Sequence, residues 1–278
     1  MKAFLLILSL GALTIGLSGC GSTFLGVALQ SMTVTKVDDY FDLEGPQKDQ
    51  LKKDVEKDFQ ELRQEVFPQV AKSLRELDSQ FNKDSVQAPL MAKIFEDSDS
   101  YLKKVTAKFE NTAVKTAATL HEKQFQHFAR EIRKDVEESQ EDTASAEGAL
   151  KQSMKRYTKS IEFWLGNLTR DQKNRLRDFL NNHPYPWSLQ NRSKLAVLEK
   201  FLNSRKNPEE LKKFVKGFAV DYDVYRLPEF KEALKVHQAA FQEFFAKSLW
   251  PSVEKKQRQE LRENLMSRAE NLEKLARQ

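Results

Sequence analysis

Apolar residues along this chain recur at steps of three and four. Leu51, Val55, Phe59, Leu62, Val66, Val70, Leu74, Leu77 and Phe81 trace one stripe on a long helix that opens near Pro46. Pro68 lies inside that run, where its ring and missing N–H kink or break a helix. A second segment starts near Ser85 and carries Leu90, Ile94, Tyr101, Leu102, Val105, Phe109 and Val114; a third starts near Leu120 and runs through Phe128, Ile132 and Val136. From Glu137 to Gly148 no apolar period exists, and a loop or an exposed helix face both fit. The period returns with Met154, Tyr157, Ile161, Trp164 and Leu165, and Gly166 predicts a C-cap. A short helix over 169–181 stops at His183-Pro184-Tyr185-Pro186-Trp187, where two prolines forbid continuation. Helices are then predicted over 188–203, 208–224, 228–249 and 252–276, separated at Asn207-Pro208, Leu227-Pro228 and Trp250-Pro251. The expected class is all-α: an elongated multi-helix bundle built from amphipathic helical hairpins.

Glycine usage agrees with that class. Beyond residue 30 the glycines are Gly45, Gly148, Gly166 and Gly217, too few for a phosphate-cradling loop, a dinucleotide fold or a strand-rich sandwich. The surface is charged with mixed signs. Removing Lys2 with the leader takes Lys and Arg from 46 to 45 against 41 acidic residues, a net of +4. That excess suits a solvated surface with weak attraction to anionic headgroups or wall polymers, and nucleic acid is not an expected partner.

The N-terminus supplies an address. Behind Lys2, the run from Ala3 to Leu17 is almost wholly apolar and is followed by small residues up to Cys20. It is shorter than the ~20 residues that span a bilayer and fits the apolar region of a secretory signal with its cleavage site. The tetrapeptide Leu17-Ser18-Gly19-Cys20 resembles the lipobox of bacterial lipoproteins. That resemblance implies cleavage before Cys20 and a lipid on its thiol, the nucleophile such chemistry needs. Cys20 is the chain's single cysteine, so no internal disulfide forms. Gly21 stands where Asp would imply inner-membrane retention, which favours an outer-membrane, periplasm-facing location. The expected division is a signal peptide over 1–19, a lipidated tether over 20–36 and a helical domain over 37–278; two lobes, if formed, meet near 183–188. The apolar stretch Phe24-Leu25-Gly26-Val27-Ala28-Leu29 either lies on the membrane or folds back to dock on the body.

Four places share an apolar residue, Gln four later, and apolar residues eight and twelve later. They are Leu43/Gln47/Leu51/Val55, Leu120/Gln124/Phe128/Ile132, Leu168/Gln172/Leu176/Leu180 and Val253/Gln257/Leu261/Leu265. One copy, Thr169-Arg170-Asp171-Gln172, has the sequence of a full capping box. A reused helix-start signal and a duplicated helical unit both account for the pattern. Val37-Asp38-Asp39-Tyr40-Phe41-Asp42-Leu43 with Pro46-Gln47, and Phe163-Trp164-Leu165-Gly166-Asn167-Leu168-Thr169 with Gln172, resemble the signatures of an uncharacterised family of all-helical bacterial lipoproteins. The resemblance implies fold and address and carries no activity. In the first copy Glu44 replaces the Thr of that family's LTxxQ segment. The LTxxQ segments are more loosely similar to those of the Spy/CpxP-like periplasmic chaperones.

Candidate chemistry is sparse. His121-Glu122 begins a zincin-like HExxH, but position 125 is Phe and His127 is out of phase, so the motif fails. His183 and His237 are isolated. Asp38, Asp39, Asp97, Asp99, Asp221 and Asp223 lack calcium-loop spacing. No catalytic residue, metal site or cofactor is expected. The candidate binding surface is aromatic: Trp164, Tyr185, Trp187 and Trp250 fall at helix ends or in the proline-rich loop, where they either grip an apolar ligand or seal the bundle. The expected role is non-catalytic binding or scaffolding in the envelope, with the membrane reached through the lipid on Cys20 and an envelope protein or anionic polymer as partner. A holdase for envelope proteins, or an auxiliary or hydrolytic factor in wall or lipid metabolism, are the alternatives.

Overall fold

The computed structural model describes residues 22–81 and 87–278; the leader, Cys20 and the helix start expected at Ser85 lie outside them. Among the described residues the chain is all-helical, an elongated bundle with no strand. The first half contains α1 (Ser22–Phe41), α2 (Gly45–Glu65), α3 (Phe67–Phe81), α4 (Ala88–Lys108), α5 (Glu110–Ala118) and α6 (Glu122–Asp142). The second contains α7 (Ala146–Leu165), α8 (Arg170–Asn182), α9 (Trp187–Ser204), α10 (Pro208–Val220), α11 (Pro228–Phe244) and α12 (Lys255–Ala276). A widened π-turn at Phe245–Leu249 and a 3-10 turn at Trp250–Ser252 link the last two.

Most breaks fall where local chemistry demands them. Pro68 separates α2 from α3. Gly166 closes α7 at φ +72°, a left-handed conformation that favours glycine; a Cβ there would meet only the movable carboxylate of Glu260. Helix α6 runs on to Asp142, so the first part of the polar 137–148 stretch is helix; the Ser145 hydroxyl then caps α7 at 3.0 Å. The helix expected over 208–224 stops at Val220 instead. There Asp221 pairs with Lys103 of α4 at 3.2 Å and the Tyr222 hydroxyl donates to Asp99, turning the segment onto α4.

The main core joins both ends of the chain: Leu51, Val55 and Leu62 of α2, Leu74 of α3, Leu176 of α8, and Leu265 and Leu275 of α12. Helix α12 lies against α3 in the opposite direction, held by Arg75 on Glu273 at 2.7 and 3.0 Å and by Arg262 near Asp78. A smaller cluster joins α5, α6, α9 and α10 through Phe125, Val197, Phe201, Leu211 and Phe214. The stretch starting at Phe24 is part of α1. From Gly26 onward that helix docks on the body, with Leu29, Thr33, Val34 and Val37 buried, and it passes residue 36 unbroken.

The four glutamines organise the rest. Each lies at the third helical position and accepts, through Oε1, the backbone N–H of its own N-cap: Glu44, His121, Thr169 and Glu254, at 2.9–3.0 Å. This half of the capping box therefore operates in all four copies, including the one where Glu44 replaces Thr. At Thr169 the reciprocal bond from Gln172 N to Oγ1 is 3.2 Å. The amides then pair. Gln47 and Gln124 donate to each other at 3.2 and 2.7 Å, and Gln172 and Gln257 at 2.8 and 2.9 Å. Each Nε2 also donates to the carbonyl two residues before its partner's N-cap: Thr119, Asp42, Ser252 and Asn167, at 2.7–3.0 Å. Two amide clasps result, each tying two helix starts together with an internal near-twofold relation.

The halves correspond beyond the clasps. Asp38 accepts from Leu43 N and pairs with Lys48 at 2.8 Å; at the equivalent place Glu162 accepts from Leu168 N and pairs with Lys173 at 3.0 Å. Asp42, at φ 51°, ends α1 as Gly166 ends α7. The repeat seen in the sequence is thus a repeat of three-dimensional units, with α1, α2 and α6 answering to α7, α8 and α12.

Candidate functional site: a polar cleft around Lys194

The first clasp sets α6 beside the end of α1, because Gln124 bonds the Asp42 carbonyl. Beyond that junction the two helices bound a cavity of about 480 Å³, closed by α7 and α9. Its volume lies within the range of small-molecule sites. Lys36 and Tyr40 of α1 form one wall; Asp135, Glu138, Ser139 and Asp142 of α6 form the facing one. Thr143, Gln152 of α7, and Trp187 and Lys194 of α9 complete the lining.

Depth sorts these groups. Trp187 and Lys194 are buried, Tyr40 and Asp135 half-buried, and Glu138 and Asp142 exposed at the mouth. Tyr40 donates to Asp135 Oδ2 at 2.9 Å. Burial first, then that bond to a carboxylate, raises the phenol pKa and keeps the hydroxyl protonated. Trp187 is fixed by its Nε1 donating to Ser153 Oγ at 2.9 Å, with the Arg156 guanidinium over the neighbouring Tyr185 ring at 4.5 Å. Lys194 is 9% exposed and has no hydrogen bond or ion pair among the described residues. Burial lowers its pKa, with Asp135 opposing and Arg156 reinforcing the shift. The side chain is largely buried while the ammonium keeps contact with solvent through the cavity it lines, without a direct ion pair among the described residues.

The predicted aromatic surface is dispersed and covered. Tyr185 and Trp187 touch each other at 4.8 Å between ring centroids but are both buried. Trp250 is 1% exposed, beneath Phe81, Phe245 and Arg258. Trp164 is half-buried and stacks with Arg268 on α12. Helix ends in this bundle abut other helices, so end position does not confer exposure; of the four rings, Trp187 lines the cleft. The carboxylates singled out from the sequence make ion pairs or hydrogen bonds, Asp38 with Lys48, Asp39 with Lys36, Asp97 with Lys93, Asp99 with Lys103 and Asp223 with Arg226. His121 is an exposed N-cap.

His237 is buried against Tyr157, Phe179 and Tyr185, with Tyr157 O–H at its Nε2. Burial holds its pKa down at about 4, and the nearby Arg156 charge reinforces the shift. Among the described residues no group of three or more His, Cys, Asp or Glu is placed to hold a metal, and no helix is long and apolar enough to cross a membrane. A second cavity, about 570 Å³, is a shallow groove along α7 flanked by Lys155, Lys159 and Lys173.

Apart from Trp187, the cleft residues went unmarked in the sequence because they are drawn from positions 36 to 194. One signal was present. On α9 the buried stripe runs Trp187, Asn191, Lys194, Leu198, Phe201, with a lysine in an inward register. The stripe on α6 likewise turns polar, from Phe128 and Ile132 to Asp135, Ser139 and Asp142.

Fold and geometry define an all-helical bundle made of two amide-clasped units. A family described only as of unknown function, DUF6279, matches residues 39–219, and the chain belongs to that family. The matched region contains the whole first clasp and Gln172 of the second. No curated protein and no solved structure matches the chain.

Proposed function

We propose that this chain is a lipid-anchored, non-catalytic binding protein of the bacterial envelope, with the Lys194 cleft as its binding site. The observation that carries the reading is the largely buried Lys194 side chain, without a direct ion pair among the described residues, on the lining of a cavity of ligand size. The address rests on the apolar leader and Leu17-Ser18-Gly19-Cys20, with Gly21 favouring the periplasmic face of the outer membrane. A holdase reading finds less support, since the strongly exposed large apolar side chains among the described residues are all valines: Val27, Val220, Val224 and Val236.

Two measurements test this. Cys20→Ala is expected to release the chain from membranes and leave the leader uncut; unchanged attachment refutes the anchor. A photo-crosslinking residue at Gln152, illuminated in intact cells, is expected to give one recurring added mass on the purified chain. A spread of unrelated adducts refutes the binding site.

A further inference from the structure

We propose that the cleft takes a small zwitterion, an amino acid or short peptide, with its carboxylate on Lys194 and its ammonium toward Glu138 and Asp142. This rests on reading the cleft as a binding site and adds the class of ligand. The charges are arranged in depth. A single positive group lies largely buried at the floor, beside Trp187. Two carboxylates stand exposed at the mouth, Glu138 and Asp142, and neither has an ion pair among the described residues.

Of the remaining charges, Lys36 pairs with Asp39 at 3.0 Å, and Asp135 accepts from Tyr40 while its negative charge acts on Lys194 without a direct ion pair. An entering carboxylate would give Lys194 the partner it lacks, and a charge-assisted bond out of bulk water is among the stronger ones available. A simple anion would have to pass two carboxylates to reach it. A simple cation would find the mouth attractive and the floor repulsive. A molecule with both charges, negative end first, satisfies floor and mouth together. The half-polar walls, with Ser139 and Gln152, suit a peptide backbone more than a long apolar chain.

Calorimetric titration of the purified full chain tests the assignment with alanylalanine, N-acetyl-alanylalanine, alanylalanine amide and free alanine. Saturable binding of alanylalanine or alanine is expected, the tighter of the two telling peptide from amino acid. Blocking either terminus is expected to weaken binding by about tenfold or more, the size of one charge-assisted contact. Lys194→Met, which keeps an unbranched side chain one atom shorter and removes the charge, is expected to abolish binding while raising Tm, so that loss of ligand is not loss of fold. No saturable heat with any of the four compounds overturns the proposal, as does equal affinity for the blocked and free dipeptides or unchanged affinity in Lys194→Met. Failure here alongside a single crosslinked mass at Gln152 removes the zwitterion and leaves the binding site; failure of both removes the site.

Discussion

Tyr40 with Asp135, and Trp164 with Arg268, occupy equivalent places in the two halves of this molecule. Below both sits the same frame: an acid holding the turn, a lysine pairing with it, and a glutamine clasp. Above it the halves diverge. In the second, the Arg268 guanidinium lies 4.1 Å from the Phe163 ring centroid and 5.0 Å from that of Trp164, and it donates to Asn264 at 2.8 and 3.2 Å. That fills the space between α7 and α12. In the first, a tyrosine–carboxylate bond lines a cleft that stays open between α1 and α6. A frame that stabilises itself leaves one position per unit free to differ: one copy packs it shut, the other leaves room for a ligand.

The comparison can be broken most forcefully at the clasps. Gln172 is 0% exposed and Gln257 4%. Gln172→Ala strands the Thr169 N–H, the Ser252 carbonyl and the Gln257 amide, and is expected to cost about 3–4 kcal/mol in urea unfolding. Gln47 is half-buried, water can replace its partners, and Gln47→Ala is expected to cost about 1–2 kcal/mol. Equal losses would show that the clasps are not graded by burial.

One step smaller, Arg268→Ala removes two ring contacts and leaves a gap between helices, an expected loss of about 2 kcal/mol. Asp135→Ala at the equivalent place opens onto the cleft, and its expected cost is below about 1 kcal/mol. A larger loss for Asp135 would make the cleft wall a structural element.

The halves also respond to acid with opposite sign. Asp58 on α2 is 5% exposed, its Oδ2 lacks a partner among the described residues, and burial raises its pKa to about 6. The folded state therefore holds its proton more tightly than the unfolded one, and the stability this gives is lost as pH rises from about 4 through 6. His237 in the second half has a folded pKa of about 4, below its ordinary 6.5. Its contribution is present above pH 6.5 and is lost as pH falls toward 4. Between pH 4 and 6 the two slopes oppose each other. Asp58→Asn is expected to raise stability at pH 7 by about 1–2 kcal/mol and to expose the His237 slope as a steeper acid loss; an unchanged profile would refute the buried-carboxyl account. A comparably small effect is expected at Lys194→Met, a gain of about 1 kcal/mol at pH 7 as a largely buried charge is removed.

Much of this frame was legible in the sequence. The stripe from Leu51 to Phe81, the stop at Pro68, the cap at Gly166 and the four glutamines are local features, and local physics decides them. The pairing of Gln47 with Gln124 is different. Each glutamine already explains itself as a cap, and nothing within four residues states that its free Nε2 reaches a helix 77 positions away. The cleft was illegible for the same reason, its lining being brought together by helix packing. Trp250 misled in the opposite direction, because its proline-marked helix end lies under α12.

The clasps also set a timetable for folding. Each joins residues far apart in the chain, Gln47 with Gln124 and Gln172 with Gln257, separated by 77 and 85 positions. Closing flexible loops of that length costs on the order of 4 kcal/mol each in chain entropy before any bond repays it. Arg75 waits longer still, for Glu273 at a separation of 198. High contact order slows helical proteins as it does sheets. A chain emerging from its N-terminus can therefore close the first clasp about 130 residues before the second, and α1 to α3 keep an unfinished apolar face until α12 arrives.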